Sequence, residues 1–236
     1  MKNILVFDIF GDYAHFRKYF TNMSPTTFLI PPRTVLTGVL GALIGISKEE
    51  NPESFSLARA KIAVQLTAPV NKTIVQINGV KASSLSVLTM PVGVKRQINY
   101  EFVKNPCYRV YFTHEDNAIY ERVKHHLTNH SSVYTLALGS AQCLANYNYI
   151  GEYEYSQRES NEYLPISSTI GKEQLQDIDF TDNNKIQKAV MPNEMLNNRV
   201  VTQYREFLYS ISGEPIIAKV VECLSISELE VNICVM

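Results

Sequence analysis

The sequence predicts an α+β fold: a βαββαβ core with a basic β-hairpin inserted in it, followed by a smaller β-rich lobe. Three observations predict it. An apolar strand runs through a basic-aromatic loop into an apolar helix within the first 46 residues; residues 72–109 alternate as strands while carrying many cations; and a second helix is followed by Tyr-rich β patterning. With 236 residues, 45% of them hydrophobic, the chain can bury a substantial core.

The first strand is Ile4 to Phe10. Pro31 and Pro32 then set their own φ and push the preceding residue out of the helical region, so a helix begins at about Arg33 and Thr34. From Val35 to Ile46 almost every residue is apolar or glycine, which predicts a helix buried on most sides, with Gly38 and Gly41 allowing close backbone approach. Lys48 to Ser54 is a polar connector, and Ala60 to Ala68 alternates as a half-buried strand that Pro69 ends. Thr73 to Val80 and Gln97 to Val103 form the arms of a hairpin about a small, polar stretch from Lys81 to Val94. Cys107 to Thr113 is the next strand, and Glu115 to Leu127 the second helix, acidic at its start and carrying Lys124, His125 and His126 at its end. Val133 to Leu138 and Gln142 to Tyr155 read as strands. This order is that of a ferredoxin-like domain spanning 1–155. Residues 156–236 form the second lobe: polar, acidic connectors at 157–163 and 172–185, a hairpin joining Arg199–Ile211 to Ile216–Val221 across Gly213-Glu214-Pro215, and a terminal strand at Val231–Val235.

The formal net charge of −1 conceals an asymmetry. Residues 1–110 hold 13 Lys+Arg against 6 Asp+Glu, whereas residues 111–236 hold 9 against 17. A basic half and an acidic half fit one face on a polyanion and another on protein or solvent, although a difference of solvated faces accounts for the same numbers. Cys107, Cys143, Cys223 and Cys234 lack zinc-site spacing and read as reduced, structural residues. There is no GxGxxG or GxxxxGKS loop and no carboxylate or histidine cluster with metal spacing, so neither metal nor cofactor is expected. No apolar run reaches membrane-spanning length, and Met1-Lys2-Asn3 leads into a strand without a signal-peptide layout, so no membrane partner and a cytoplasmic location are expected.

Two stretches carry candidate binding chemistry. The loop with Tyr13, His15, Phe16, Arg17, Lys18 and Tyr19 meets the first helix near Arg33, and helix N-termini favour anions. A core helix beside a solvated loop explains the same residues. The hairpin carries Lys72, Lys81, Lys95, Arg96, Lys104 and Arg109 against the single acid Glu101, with Tyr100 and Phe102 interleaved. Cations that track a backbone and rings that stack on bases suit single-stranded nucleic acid. Lysines that protect an exposed edge are the other reading. Lys124-His125-His126 has the residue types for metal-free RNA cleavage, and it is equally what a helix dipole selects at its C-terminus.

The sequence resembles the RAMP superfamily of CRISPR-associated proteins, specifically the Cas-five family, the subunit of type I Cascade complexes that caps the 5′ end of the guide RNA. The likeness lies in the first strand with Gly11 and HFRK at 15–18, PPRTVLTGVLGALIG at 31–45, and LGSAQCLA at 138–145. MPNEMLNNRVVTQYREFLYSISGEPI at 191–216 resembles type I-B members. The resemblance implies an RRM-like ferredoxin fold, a thumb hairpin at 72–109, and tight binding of the repeat-derived 5′ handle. It implies as partners the crRNA, the backbone RAMP subunits and the large subunit of Cascade, with target DNA reached indirectly. The residues it points to for RNA are Arg17, Lys18, Arg33, Lys95 and Arg96 as phosphate contacts, Tyr13 and Phe16 as stackers, and His15, Lys81 and Lys104 beside them, with Gly139 and Ser140 near the RNA-facing loop. Type I-C relatives cleave repeat RNA with a tyrosine, a lysine and a histidine, and this sequence offers Lys124, His125 and His126, with Tyr13 or Tyr19 elsewhere; type I-B systems usually use a separate endonuclease, so a non-catalytic role is expected.

Overall fold

The structure is a computed structural model describing residues 2–21, 24–80, 95–159, 162–180 and 185–236, with the backbone alone for residues 80, 95 and 96. Strand β1 (Lys2–Phe10) is its centre. The pleat turns Leu5, Phe7 and Ile9 to one side and Ile4 and Val6 to the other, and all five are buried. Each fully buried side chain of this kind contributes about 1.5–3 kcal/mol. On one side of β1 lies β8 (Cys107–His114), followed by β5 (Ala60–Leu66), and on the other β9 (Asn146–Glu159), giving an antiparallel order β9-β1-β8-β5.

Helix α1 (Arg33–Ile44) connects β1 to β5, and α3 (Asn117–Thr128) connects β8 to β9. Both pack on the Leu5/Phe7/Ile9 face through Leu36, Leu40 and Leu43 of α1 and Tyr120, Val123 and Leu127 of α3. α1 ends two residues before the expected Ile46, because Gly45 turns left-handed at φ 76°. Its glycines differ from expectation. Gly38 is exposed, whereas a Cβ on Gly41 would overlap the Asn51 amide of the short helix α2 (Asn51–Ser54), so Gly41 alone provides the close approach. α3 starts later than expected since Asp116 is its cap, accepting from the Ala118 N–H at 2.8 Å.

The hairpin is formed by β6 (Asn71–Val80) and β7 (Lys95–Lys104), paired in continuous register from Asn71↔Lys104 to Val80↔Lys95. It ends at Lys104, and Arg109 belongs to β8, where it is salt-bridged to Asp8 across the sheet at 2.8 Å. Strand β2 (Tyr13–Ala14) extends β7, and β3 (Phe16–Arg17) pairs with β4 (Thr27–Phe28).

Two sequence expectations differ from the structure. Residues 133–138 form no strand: the Val133 and Tyr134 amides donate to the Leu43 and Ala42 carbonyls at the end of α1, and only an isolated bridge, Ala137↔Leu144, follows. β9 runs on past residue 155, and its far end pairs with β16 (Glu222–Ile226), so the sheet continues through β17 (Val231–Ile233), β10 (Leu164–Ile166), β15 (Ile216–Val220) and β12 (Leu175–Ile178). Leu224, Ile226 and Ile233 thereby cover the Ile4/Val6 face of β1. Finally, β14 (Val201–Ser210) pairs with β13 (Ile186–Met195) and with β11 (Ile170–Gly171), not with β15. Gly213, at φ 85°, redirects the chain so that β15 enters the large sheet.

Candidate nucleic-acid interface

The loop after β1 and the root of the hairpin form one unit. β2 pairs with β7 at Tyr13↔Lys104 and Ala14↔Val103. A row of rings runs along this junction: Tyr13 edge-on to Phe102 at 5.8 Å, His15 at 5.4 Å from Phe102 and 5.6 Å from Tyr100, and Tyr100 stacked with Phe102. His15 Nδ1 lies 2.8 Å from the Glu101 carbonyl oxygen. The Glu101 carboxylate accepts from the Thr27 N–H at 2.9 Å and from Lys72 Nζ at 3.0 Å. Burial alone would raise the Glu101 carboxyl, but the Thr27 amide and Lys72 outweigh it and hold the group below its ordinary value. The one acid of the hairpin is thus the pin that fixes it to the β3–β4 ribbon, a role the sequence reading did not assign.

The expected RNA-binding residues divide by exposure. Tyr13, Arg17 and Lys104 are exposed. Arg17 donates to the Thr21 carbonyl at 3.3 Å. Lys18 is half-buried, with Nζ 5.7 Å from the Phe28 ring centre and 5.8 Å from that of Phe20; burial first and Lys72 second draw its pKa down. Lys95 and Arg96 stand on β7 opposite Val80 and Gly79, and Lys81 lies outside the described residues.

Three of the expected contacts are corrected. Phe16, 1% exposed, packs against Tyr108 at 5.9 Å and presents no ring to a base. His15, 3% exposed, is part of the hairpin root. Arg33, 2% exposed, faces inward, where its Nη2 donates to the carbonyls of Phe55, Ser56 and Ala60 at 2.8, 3.1 and 3.0 Å. Burial draws the Arg33 guanidinium down to about 10, so it stays charged at neutral pH and ties α1 to the chain entering β5.

Gly139 and Ser140 come to the same place. Gly139 has φ 89°, a Cβ on it would overlap the His15 carbonyl oxygen, and the His15 N–H donates to the Leu138 carbonyl at 3.0 Å. Ser140 closes the turn by accepting from the Cys143 N–H at 2.9 Å. Between this turn and the least buried strip of α1, lined by Thr34, Val35 and Gly38, lies a cleft of about 310 Å³.

The residue types for cleavage are not assembled. Lys124 Nζ is 2.7 Å from the Glu152 carboxylate, which also accepts from the Tyr120 hydroxyl at 2.7 Å. His126 meets Ser131, and His125 meets Asn129. Glu152 stands opposite Leu5, whereas Tyr13 follows Phe10 at the other end of β1, about 16 Å of strand away. Among the described residues no group of His, Cys, Asp and Glu could hold a metal ion, and the four cysteines are free thiols.

The family described as "CRISPR-associated protein (Cas_Cas5)" matches residues 4–207, which include most of β1, the hairpin, the Gly139 turn and most of β14. The chain belongs to this Cas5 family. Solved structures similar to this Cas5 chain in fold include a CRISPR protein from Archaeoglobus fulgidus, 15% identical, with 95% of this chain and 96% of that one covered at a TM-score of 0.57. A chain of a CRISPR RNA-guided surveillance complex is 11% identical over 91% and 90% at a TM-score of 0.52. A chain of a type III-B Cmr-beta complex bound to cognate target RNA and AMPPnP is 11% identical over 92% and 86% at 0.51. No curated protein matches the sequence.

Two stability tests follow for this Cas5 chain. Gly139→Ala is expected to cost roughly 1–3 kcal/mol, since it combines a left-handed backbone with an overlap on His15; an unchanged thermal melt would contradict the docking of the turn. Glu101→Gln is expected to cost about 1 kcal/mol near neutral pH. Because the native carboxyl lies below its usual value, this advantage is present above the ordinary glutamate range and is lost as pH falls through the folded value. The difference between the two melts should therefore shrink steadily as the pH is lowered below the ordinary glutamate range.

Proposed function

We propose that the protein is a non-catalytic, crRNA-binding subunit of a type I CRISPR effector complex, of type I-B, which holds the 5′ handle of the guide and caps the backbone filament. Membership of the Cas5 family supports the setting. The observation that carries the reading is the basic hairpin, rooted through β2 and Glu101 onto the loop with exposed Arg17 and half-buried Lys18, with the Gly139 turn against the same segment. Phosphates would follow the cations of Arg17, Lys18, Lys81, Lys95, Arg96 and Lys104, and Tyr13 would offer a ring at the root.

The β9-β1-β8-β5 order, with a helix after its first and third strands in chain order, supports reading residues 1–155 as an RRM-like, ferredoxin-like core. Residues 156–236 then form an acidic, β-rich part that faces protein partners, which we take to be the backbone RAMP subunits and the large subunit, with target DNA engaged through them. The protein acts in the cytoplasm on this reading. Among the described residues no helix is long and apolar enough to cross a membrane.

Lys124, His125 and His126 have no chemical role in this reading, because the lysine is committed to Glu152. Incubating the purified protein with its own repeat RNA in EDTA tests both halves of it. The expected result is a salt-sensitive complex with intact RNA. Specific cleavage that disappears in His125→Ala or His126→Ala would replace it with a metal-free endoribonuclease.

A further inference from the structure

A second group of aromatic side chains lies outside the hairpin root. Tyr19 and Phe20, just beyond β3, are 52% and 62% exposed, and Tyr204 on β14 is 43% exposed. They form a continuous surface: Tyr19 is 4.7 Å from Tyr204 at 51° and 5.1 Å from Phe20 at 89°. Single exposed apolar residues are ordinary, but three adjoining rings, one brought from 184 residues away, form a patch that needs an occupant.

The chemistry around the rings selects that occupant. The segment 13–28 contains Arg17 and Lys18 and no acidic residue. Lys18 lies over Phe20, and among the described residues the exposed Arg17 guanidinium donates to one backbone carbonyl, that of Thr21. The nearest acid on the same face of the β13–β14 ribbon, Glu206, is already neutralised by Lys172 and Lys188 at 3.3 and 3.2 Å. Open rings beside the exposed Arg17 guanidinium, and beside Lys18, whose ammonium also feels the Glu101 carboxylate of the hairpin root, match an unpaired nucleobase with its phosphate, since every base has a π-face.

We infer that Tyr19, Phe20 and Tyr204 form a stacking platform for unpaired bases of bound RNA, with Arg17 and Lys18 on the adjoining phosphates. This rests on the RNA-holding function proposed above and adds to it a site that spans the β3–β4 loop and the β13–β14 ribbon. A strand leaving the hairpin root would continue across it.

The test is titration of the full-length protein with fluorescent oligoadenylate, with duplex RNA of equal length, and with its own repeat RNA, at several salt concentrations. Tyr19→Ala, Phe20→Ala and Tyr204→Ala should each weaken oligoadenylate binding by about 5- to 100-fold while leaving the salt slope unchanged. Tyr204→Phe should bind as wild type, and the duplex should be insensitive to all four. Arg17→Ala should reduce the salt slope by about 0.7. Phe20 is the most exposed of the three rings, so its variant remains informative even if Tyr204→Ala lowers stability. Wild-type affinity in the ring variants, with the Arg17 effect retained, would overturn the platform, leave the RNA-holding function standing, and make the patch a protein-docking face. Failure of the wild type to bind any of the single-stranded RNAs would overturn both.

Discussion

Arg33→Ala is expected to destabilise the protein by about 3 kcal/mol and to leave the RNA affinity of the folded protein unchanged. The arginine is enclosed, and one terminal nitrogen serves the carbonyls of Phe55, Ser56 and Ala60, the stretch that turns α2 into β5. Removing it takes this donor from the Phe55 and Ala60 carbonyls, and an unsatisfied buried polar group costs about 1–3 kcal/mol. The Ser56 carbonyl keeps the Arg59 and Ala60 amides as donors, so the sum is well below three full penalties. For a chain of this size the melting temperature should fall by roughly 6–12 °C. Arg33→Lys should recover only part of this, because an ammonium cannot reproduce the planar fork. Thermal melts combined with RNA titration of the same samples decide the matter. An unchanged melt with weakened RNA binding would mean that Arg33 reaches phosphate after all.

The triple variant Lys95→Ala/Arg96→Ala/Lys104→Ala is expected to weaken RNA binding about a hundredfold at 0.1 M salt and to reduce the salt slope by about 2. Each neutralised phosphate contact on a single strand releases about 0.7 of a counterion, which is about fivefold per contact at that salt concentration. These three are suited to the test because the ladder between β6 and β7 is made by backbone groups, so their removal leaves it in place. Lys72 is excluded because it is paired with Glu101 and its loss would disturb the root itself. Stability should therefore stay within about 0.5 kcal/mol of wild type. Loss of affinity without a change of slope would show that the hairpin contributes shape and not charge.

Local signals carried much of the architecture. The two-residue alternation of β1, the apolar run of α1, the dipole-matched charges of α3 and the cationic arms of the hairpin can each be read within a dozen residues, and each element stands near its expected place. Signals of equal local quality misled where pairing was non-local. Val133–Leu138 has strand composition, yet its amides are used by the carbonyl end of α1. Segment 201–210 has a turn and a strand directly after it, yet it pairs backwards with 186–195, because Gly213 redirects the chain and the large sheet has a place for β15 between β10 and β12.

The candidate site divides in the same way. By itself the sequence determined that the first half is basic, that a cationic hairpin interrupts an α+β core and that rings accompany its charges, because charge and periodicity are properties of composition and spacing. Only the tertiary structure decided which of those groups face outward. An arginine after two prolines looks the same whether it meets phosphate or carbonyls, and in this chain residues 55–60 claim it. A phenylalanine in HFRK gives no sign that Tyr108 will cover it. Tyr19 and Tyr204 carry no shared signal at all, since their meeting depends on how the β13–β14 ribbon lies beside the loop after β3. Burial is the free energy of the whole fold assigned to one side chain, and it is settled by partners that lie far away along the chain.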